Sequence, residues 1–392
     1  MKKLFLILAL LSSSTMAIAQ YNPDIVYTDV SNIPTRTRVE IILPQVNGYN
    51  IYKSDFHIHT IYSDANMTPK MRVLEAWLDG LDVISITEHI EYRNIEPQMH
   101  EFLKNYNGGK PHETVNRNVI VNPADERGIM VDLNYSTKEA LNAAKEYSML
   151  VVPGAEITRE PVSIGHFNAL FTTDNNAIYD PDPFVAMRNA RNQGALIMHN
   201  HPGWRRTSVD KTPFEVQAYS EGLIDGVEVM NGGQFYPKII DRSREEKLFV
   251  SSNTDIHNTT FETYRLKGLL RNMTFVFAKE CTLESIKEAI QARRTLAFGG
   301  EQIAGDEQLL KDFFNASISV QKLSKTKKGT NVMLTNKTSL TFYVRRGERG
   351  TKVEIRPFTS MIYTVAKGNK LPLIIENMWT GDNTHPKMVF TF

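Results

Sequence analysis

The sequence predicts an α/β protein with a mostly parallel sheet or barrel, followed by a small all-β domain of sandwich type. Three observations predict it. Between about Ile51 and Gly300 short apolar runs alternate with amphipathic stretches, the pattern of repeated βα units. After about Gly300 the pattern changes to short strands of alternating polarity. The 392 residues, 41% hydrophobic and 23% charged with 22 Gly and 17 Pro, suffice for two or three domains and have an ordinary globular composition.

Taken in order, residues 1–19 read as a targeting segment. Lys2 and Lys3 precede an apolar run from Leu4 to Leu11, and Ala17-Ile18-Ala19 is a small-residue cleavage site, so a secretory signal peptide cleaved after Ala19 is expected. The run falls short of the roughly 20 residues of a membrane span, no cysteine follows it to carry a lipid, and no later segment is long and uncharged enough to span. The protein is therefore expected to be exported without a membrane anchor, and periplasmic in a Gram-negative cell. Residues 20–50 read as an N-terminal extension, 51–305 as the α/β domain and 306–392 as the β-sandwich-like domain.

Within the α/β domain, strands are expected at 51–58, 82–87, 149–155, 166–171, 195–199, 225–230, 248–253 and 273–278. Thr68-Pro69 and Asp182-Pro183 start helices. In the first of these, Val73, Leu74, Trp77, Leu78 and Leu81 recur at helical spacing and form a core stripe. Ser136 and Glu139 make a capping box before an Ala-rich helix over 137–148, and Thr282 caps a helix reaching about Arg293. The segment 92–135, rich in Asn and without periodicity, is expected to run over the mouth of the barrel as a long functional loop. The later strands are expected at 315–322, 331–335, 339–346, 351–357, 360–366, 371–376 and 387–392. That region holds no His or carboxylate cluster, which points to packing or docking rather than chemistry.

Charge and cysteine content narrow the chemistry. Lys plus Arg number 45 and Asp plus Glu 44, a formal charge of +1, which argues against a stable nucleic-acid partner. Cys281 is the only cysteine, so no intrachain disulfide and no all-thiolate metal site can form. It is expected to be a small buried apolar side chain. Any metal must be held by His and carboxylates.

Seven of the ten histidines fall at the carboxyl ends of expected strands together with acidic residues: His57-Ile-His59, Asp64, Glu88-His89, Glu156, His166, His199-Asn-His201 and Asp255-Ile-His257. Strand residues two apart share a face, so His57 and His59 present paired imidazoles, and Asp255 with His257 a carboxylate and an imidazole. The carboxyl ends of barrel strands are where such folds build active sites. The donors are too many for one ion, so two or three divalent ions are expected, with Mn, Zn and Fe all compatible. His100, His112 and His385 have no such setting and are expected to be solvated.

These residues carry a resemblance. The runs Asp55-Phe-His-Ile-His-Thr60 with Tyr62-Ser-Asp64, Ile86-Thr-Glu-His89, Pro153-Gly-Ala-Glu156, His201-Pro202 and Thr254-Asp-Ile-His257 resemble the ordered motif set of the PHP (polymerase and histidinol phosphatase) metallophosphoesterases, over roughly residues 50 to 300. Asp64 and the short Glu156 to His166 spacing are most similar to the branch acting on nucleotides and simple organophosphates. The resemblance implies a distorted (β/α)7 barrel, related to the TIM barrel, and a trinuclear site. It implies His57, His59, Glu156 and Asp255 on a first metal, Glu156 bridging to a second held also by His166 and His201, and Asp64, His89 and His257 on a third. Glu88 stands where the family usually has Asp, and His199 adds an imidazole that replaces His201 as ligand, assists a leaving group or packs in the barrel.

The chemistry implied is phosphoester hydrolysis, most simply of a diester, by a metal-bridging hydroxide attacking phosphorus in line. The substrate would be a small organic or nucleotide phosphate ester, with a phosphomonoesterase of the same family as the alternative. Arg93 and Arg205 lead a set including Arg159 and Arg206 as phosphate-binding candidates, and Trp204 and Tyr92 are candidates for stacking on a base or ester group. A metal-dependent amidohydrolase is the rival enzyme, since those barrels also open with His-x-His; Glu156 in place of a bridging lysine, together with Asp64 and His257, favours the phosphoesterase.

Overall fold

The computed structural model describes residues 37–91, 132–159, 161–366 and 370–392. The expected signal peptide, Tyr92, Arg93, His100, His112 and most of the 92–135 segment lie outside them.

In chain order the α/β part runs β1 (Asn50–Ile58), α1 (Pro69–Leu78), β2 (Val83–Ile86), α2 (Tyr135–Ala144), β3 (Leu150–Val151), β4 (Gly154–Arg159), β5 (Gly165–Leu170), α3 (Pro183–Asn192), β6 (Leu196–His199), α4 (Pro213–Ser220), β7 (Gly226–Asn231), β8 (Gln234–Phe235), α5 (Pro237–Glu245), β9 (Phe249–Asn253), α6 (Thr260–Thr263), β10 (Met273–Ala278), α7 (Leu283–Gln291), β11 (Thr295–Gly299) and β12 (Gln302–Gly305). Helix α8 (Glu307–Ser317) leads into β13 (Ile318–Thr326), β14 (Gly329–Asn336), β15 (Phe342–Arg346), β16 (Lys352–Ile355), β17 (Ser360–Val365), β18 (Lys370–Ile375), β19 (Met378–Trp379) and β20 (Lys387–Thr391).

The helix starts follow local chemistry. Thr68, Asp182 and Thr282 each accept a backbone N–H of the first turn, and Pro69 and Pro183 fill positions whose own N–H has no intrahelical partner. The capping box expected at Ser136 is not formed. Helix α2 starts at Tyr135, two residues before the expected start, and Ser136 is buried in its first turn. Asn134 makes no cap bond because its side chain serves the 174–175 turn, donating to Asp174 (2.8 Å) and accepting from the Asn175 N–H (2.8 Å).

The sheets are mixed rather than mostly parallel. One has the order β19-β12-β11-β10-β1-β2-β3, with β1, β2 and β3 parallel, the β1-β10, β10-β11 and β11-β12 pairs antiparallel, and β12 parallel to β19. In the other, β4-β5-β6-β7-β8 with β9 beside β7, strands β4, β5 and β6 are antiparallel and β6, β7 and β9 parallel. The reversal at β4 and β5 is forced by length, since only residues 160–164 connect them and a parallel crossover needs about a dozen or more. Pro153 splits the expected strand 149–155 into β3 and β4. The two sheets touch through isolated parallel bridges, Ile58 with Ile256 and His89 with Glu156.

Beyond Gly300 the chain forms a three-stranded sheet, β13-β14-β17, and a four-stranded one, β16-β15-β18-β20. The strand expected at 315–322 begins only at Ile318, because Leu310, Phe313, Phe314 and Ser317 are buried at helical spacing in α8. Phe313 lies 6.1 Å from Phe275 of β10 and 6.2 Å from Phe342 of β15, so one apolar core runs through α8 into both parts, and residues 38–392 form one compact unit. Two smaller expectations fail. Cys281 is exposed, because it sits in the turn before α7 rather than on its inner face. His385 is half-buried against Trp379 and bonded to the Met378 carbonyl at 2.7 Å, not solvated.

Candidate metal centre

Strand β1 delivers the first two donors. Both faces of its last residues are covered, so His57 and His59 are fully buried, and their shared face brings the two Nε2 atoms within 3.1 Å. Asp64 comes from the loop after β1, His89 from the residues after β2, Asp255 and His257 from those after β9, and His201 from those after β6. Two donors depart from the expected strand ends: Glu156 is mid-strand in β4 and His166 is at the start of β5, which the antiparallel β4-β5 pairing brings alongside.

All nine donors are brought together. Their ligand atoms form four overlapping groups, each with every pair within 4.8 Å: His57, His59 and Glu156; His57, His201 and Asp255; Glu156, His166 and His201; His59, Asp64, His89 and His257. His57 Nε2 is 3.4 Å from Glu156 Oε1 and 3.3 Å from Asp255 Oδ1, and His59 Nε2 is 3.1 Å from Asp255 Oδ1. His166 Nδ1 is 3.4 Å and His201 Nε2 3.8 Å from Glu156 Oε1. Asp64 stands 3.4 Å from His89 Nε2 and 3.1 Å from His257 Nε2. His201 and Asp255 hold positive φ, 25° and 51°, a strained backbone for residues other than glycine and of the kind concentrated at functional sites.

The electrostatics are those of a site built for positive charge. Burial alone would lower an imidazole, yet Asp255, Glu228 and Glu156 hold His57 well above its ordinary range. Likewise, against burial, Glu156 and Asp64 raise His89 to about 10, and Asp64 and Asp255 raise His257. Burial and the neighbouring His89 and His257 lower His59 to about 3. Burial would raise the carboxylates, but the imidazoles hold Glu156, Asp255 and Asp64 far below the usual range.

No protein-family profile and no curated protein matches the chain. Among solved structures it is similar to a two-domain protein from Bacteroides vulgatus containing a predicted PHP-like metal-dependent phosphoesterase, with 31% identity and a TM-score of 0.78 over 91% of this chain and 100% of that one. The chain belongs to the PHP-like metal-dependent phosphoesterases. It is thus a metal-dependent phosphoric ester hydrolase. A proposed metal-dependent phosphoesterase from Bifidobacterium adolescentis (13% identity, TM-score 0.38, 61% of this chain and 96% of that one) and a lesion-specific endonuclease from Pyrococcus furiosus (16%, 0.36, 78% and 64%) are too distant to bear on it.

The donor set of the phosphoesterase fits divalent ions. Metal–ligand bonds of about 2.0–2.2 Å put neighbouring ligands roughly 3.0–3.5 Å apart, and the donor pairs among His57, His59, Glu156 and Asp255 span 3.1 to 3.5 Å, while His89 Nδ1 lies closer to Glu156 Oε2, at 2.6 Å. Asp64 Oδ1, Glu156 Oε2 and His166 Nε2 are buried polar atoms without a hydrogen bond of good geometry, as expected of atoms reserved for cations.

Several buried supports escape a motif search. Glu228 of β7 receives His57 Nδ1 at 3.0 Å, the His201 N–H at 2.7 Å and Asn253 Nδ2 at 2.9 Å. It orients a ligand imidazole in the way carboxylates do behind metal-bound histidines. A lone carboxylate in the apolar run Gly226-Val-Glu-Val-Met was the available signal. Asp55 is held by Arg271 (2.5 Å) and the Thr254 hydroxyl (2.6 Å), tying β1 to the Asp255 turn. Arg72, on the inner face of α1, donates to the carbonyls of His59 (2.9 Å), Ile256 (3.1 Å), His257 (2.9 Å) and Asn258 (2.6 Å). Glu88, which stands where the family usually has Asp, accepts from the Thr60 and Ser63 hydroxyls and so shapes the loop that carries Asp64.

His199 turns away from the donors. Its Nε2 lies 3.2 Å from Glu215 Oε1 and its Nδ1 3.0 Å from the Tyr219 hydroxyl, so it packs against α4 instead of replacing His201. Arg206 is engaged with Glu215 (2.6 Å), and Arg159 with Glu91 (2.6 Å) and the Asp180 carbonyl, which leaves neither as a free phosphate clamp. Burial raises the Glu91 carboxyl to about 7 despite Arg159. Arg205 remains: its guanidinium stacks 4.2 Å from the Trp204 ring, which lies 5.3 Å from both His166 and His201. A Cβ at Gly203 would meet the Tyr236 ring at 2.6 Å, so glycine lets this turn pack closely enough to place Trp204 there.

Proposed function

We propose that the protein is an exported phosphodiesterase that hydrolyses small organic or nucleotide phosphate esters at a centre of three divalent ions, built on a distorted seven-stranded barrel. The carrying observation is that Glu156 sits where the donor groups overlap, within reach of His57, His59, His166, His201 and His89. On this reading His57, His59, Glu156 and Asp255 hold one ion, Glu156, His166 and His201 a second, and Asp64, His89 and His257 a third. Such ions, when bound, activate water near neutral pH and neutralise charge on phosphoryl oxygens. The chain's own groups do the rest. Arg205, kept in place by Trp204, binds a non-bridging oxygen; Asn200 Nδ2 steadies Glu156 at 2.8 Å; Glu228 fixes the His57 ring. Contact of the two sheets at Ile58 with Ile256 and His89 with Glu156 supports barrel closure. Export rests on the 1–19 segment, and no helix among the described residues is long and apolar enough to cross a membrane.

The test is hydrolysis of bis(p-nitrophenyl) phosphate beside p-nitrophenyl phosphate after loading with Mn, Zn or Fe, with metal counted per chain and Asp255→Ala as control. Diester turnover lost in the variant is expected. Turnover of the monoester alone would make the protein a phosphomonoesterase, and metal binding with neither activity would overturn the reading.

A further inference from the structure

The ends of β9 and β11 remote from the metal centre open into a cleft of about 670 Å³ between α5, α7 and α8, a volume typical of small-molecule sites. Asp255 at the centre follows Leu248 in the cleft by seven positions, which at about 3.3 Å per strand residue places the two roughly 20 Å apart. Leu248 and Val250 give the cleft an apolar lining, and Arg244, Lys247, Arg293, Arg294 and Lys311 give it positive charge.

Pairing separates these cations into two kinds. Arg244 is matched by Asp241, Arg294 by Glu288, and Lys311 by Glu307 at 2.7 Å. Asp306 is occupied as the N-cap of α8, accepting from the Leu309 N–H at 2.9 Å. Among the described residues no carboxylate pairs with Lys247 or Arg293. The two are neighbours, since Arg293 Nη1 donates to the Lys247 carbonyl at 3.4 Å, and each follows a helix C-cap with φ of 58°. A helix C-terminus favours one cation on its own account. It does not account for two unmatched cations from different helices opening into one ligand-sized cleft.

We propose that this cleft is a second binding site, separate from the metal centre, for a small polyanion carrying phosphate groups. Lys247 and Arg293 supply the unmatched charge, with Arg294 and Arg244 at the margins. The site does not depend on which ester the metal centre hydrolyses.

The probe is inorganic pyrophosphate at millimolar concentration, read by amide hydrogen exchange on the metal-loaded protein. The variant is Lys247→Asn with Arg293→Asn, because asparagine tolerates the left-handed backbone at both positions. Both residues are exposed and remote from the centre, so ester hydrolysis should be unchanged and reports folding. Slowed exchange is expected at 243–248, 292–295 and 305–309 in the wild type and equally in Asp255→Ala, and it should vanish in the double variant. Absence of slowing in these segments, or slowing that persists in the double variant, overturns the proposal. Because Asp255→Ala disables the metal centre and spares the cleft, failure here is distinguishable from failure of the phosphodiesterase reading.

Discussion

Strand β14 buries every second residue, Thr330, Val332, Leu334 and Asn336, and leaves the intervening ones half-exposed. Strand β1 buries its last five residues in succession, Ser54 to Ile58, including Asp55 and His57. The first pattern is that of a strand with one face on a core, where polarity alone selects the face. The second puts ionisable groups where no water reaches, and such groups are tolerated only with partners: Arg271 for Asp55, Glu228 and the other donors for His57. One region is held by apolar contact, the other by a closed set of charges that counts metal ions among its members.

That contrast can be broken by experiment. The largest effect is expected for Glu156→Gln, which removes the carboxylate shared among the donor groups; hydrolysis should fall by about a thousand-fold or more, roughly 4 kcal/mol of transition-state stabilisation, with fewer metals per chain by elemental analysis. A variant with full metal content and activity would show that the groups do not work as one centre. Next comes Arg72→Met, which takes the guanidinium donor from four carbonyls of the ligand-bearing loops, of which Ile256 and His257 keep a backbone N–H, and should cost roughly 3 kcal/mol in denaturant unfolding together with loss of metal. If stability falls with metal binding intact, Arg72 serves the fold alone.

In the C-terminal sheets Ile355→Val should cost only about 1 kcal/mol, the loss of one buried methylene, with metal content and turnover per folded molecule unchanged. A change in metal stoichiometry there would mean the two regions are coupled. The smallest signal concerns protons. His57, His89 and His257 are held above their ordinary range by carboxylates, His89 at about 10, so in the metal-free protein they keep their protons to higher pH than an ordinary imidazole, whereas a ligand imidazole must be neutral. Metal loading should therefore release protons, fewer as pH rises through the raised values, and affinity should weaken as pH falls. Calorimetry in buffers of different ionisation enthalpy measures this, and metal uptake without proton release would refute it.

Much of the donor set was legible because its residue types are improbable where they stand. Imidazoles two apart at the end of an apolar run, and Asp255 with His257 after another, have few explanations besides a metal. The antiparallel turn at β5 was not foreseen, although the gap 156–165 between the strands expected at 149–155 and 166–171 was already short for a parallel crossover. The supports were least visible: Glu228 and Arg72 sit in segments that otherwise read as core, and a single charge in an apolar pattern names no partner.

Sequence by itself determined the α/β class, many of the strand positions, the change of pattern near Gly300 and the nine candidate donors, because periodicity and residue chemistry are local properties. Tertiary structure alone decided which donors share a pocket, that His199 faces Glu215 rather than the donor cluster, that Arg206 is already engaged by Glu215, and that Arg72 ties the His59 loop to His257, 185 residues from Arg72 in the chain. Those outcomes depend on distances between strands remote in sequence, and only packing of the whole chain sets such distances.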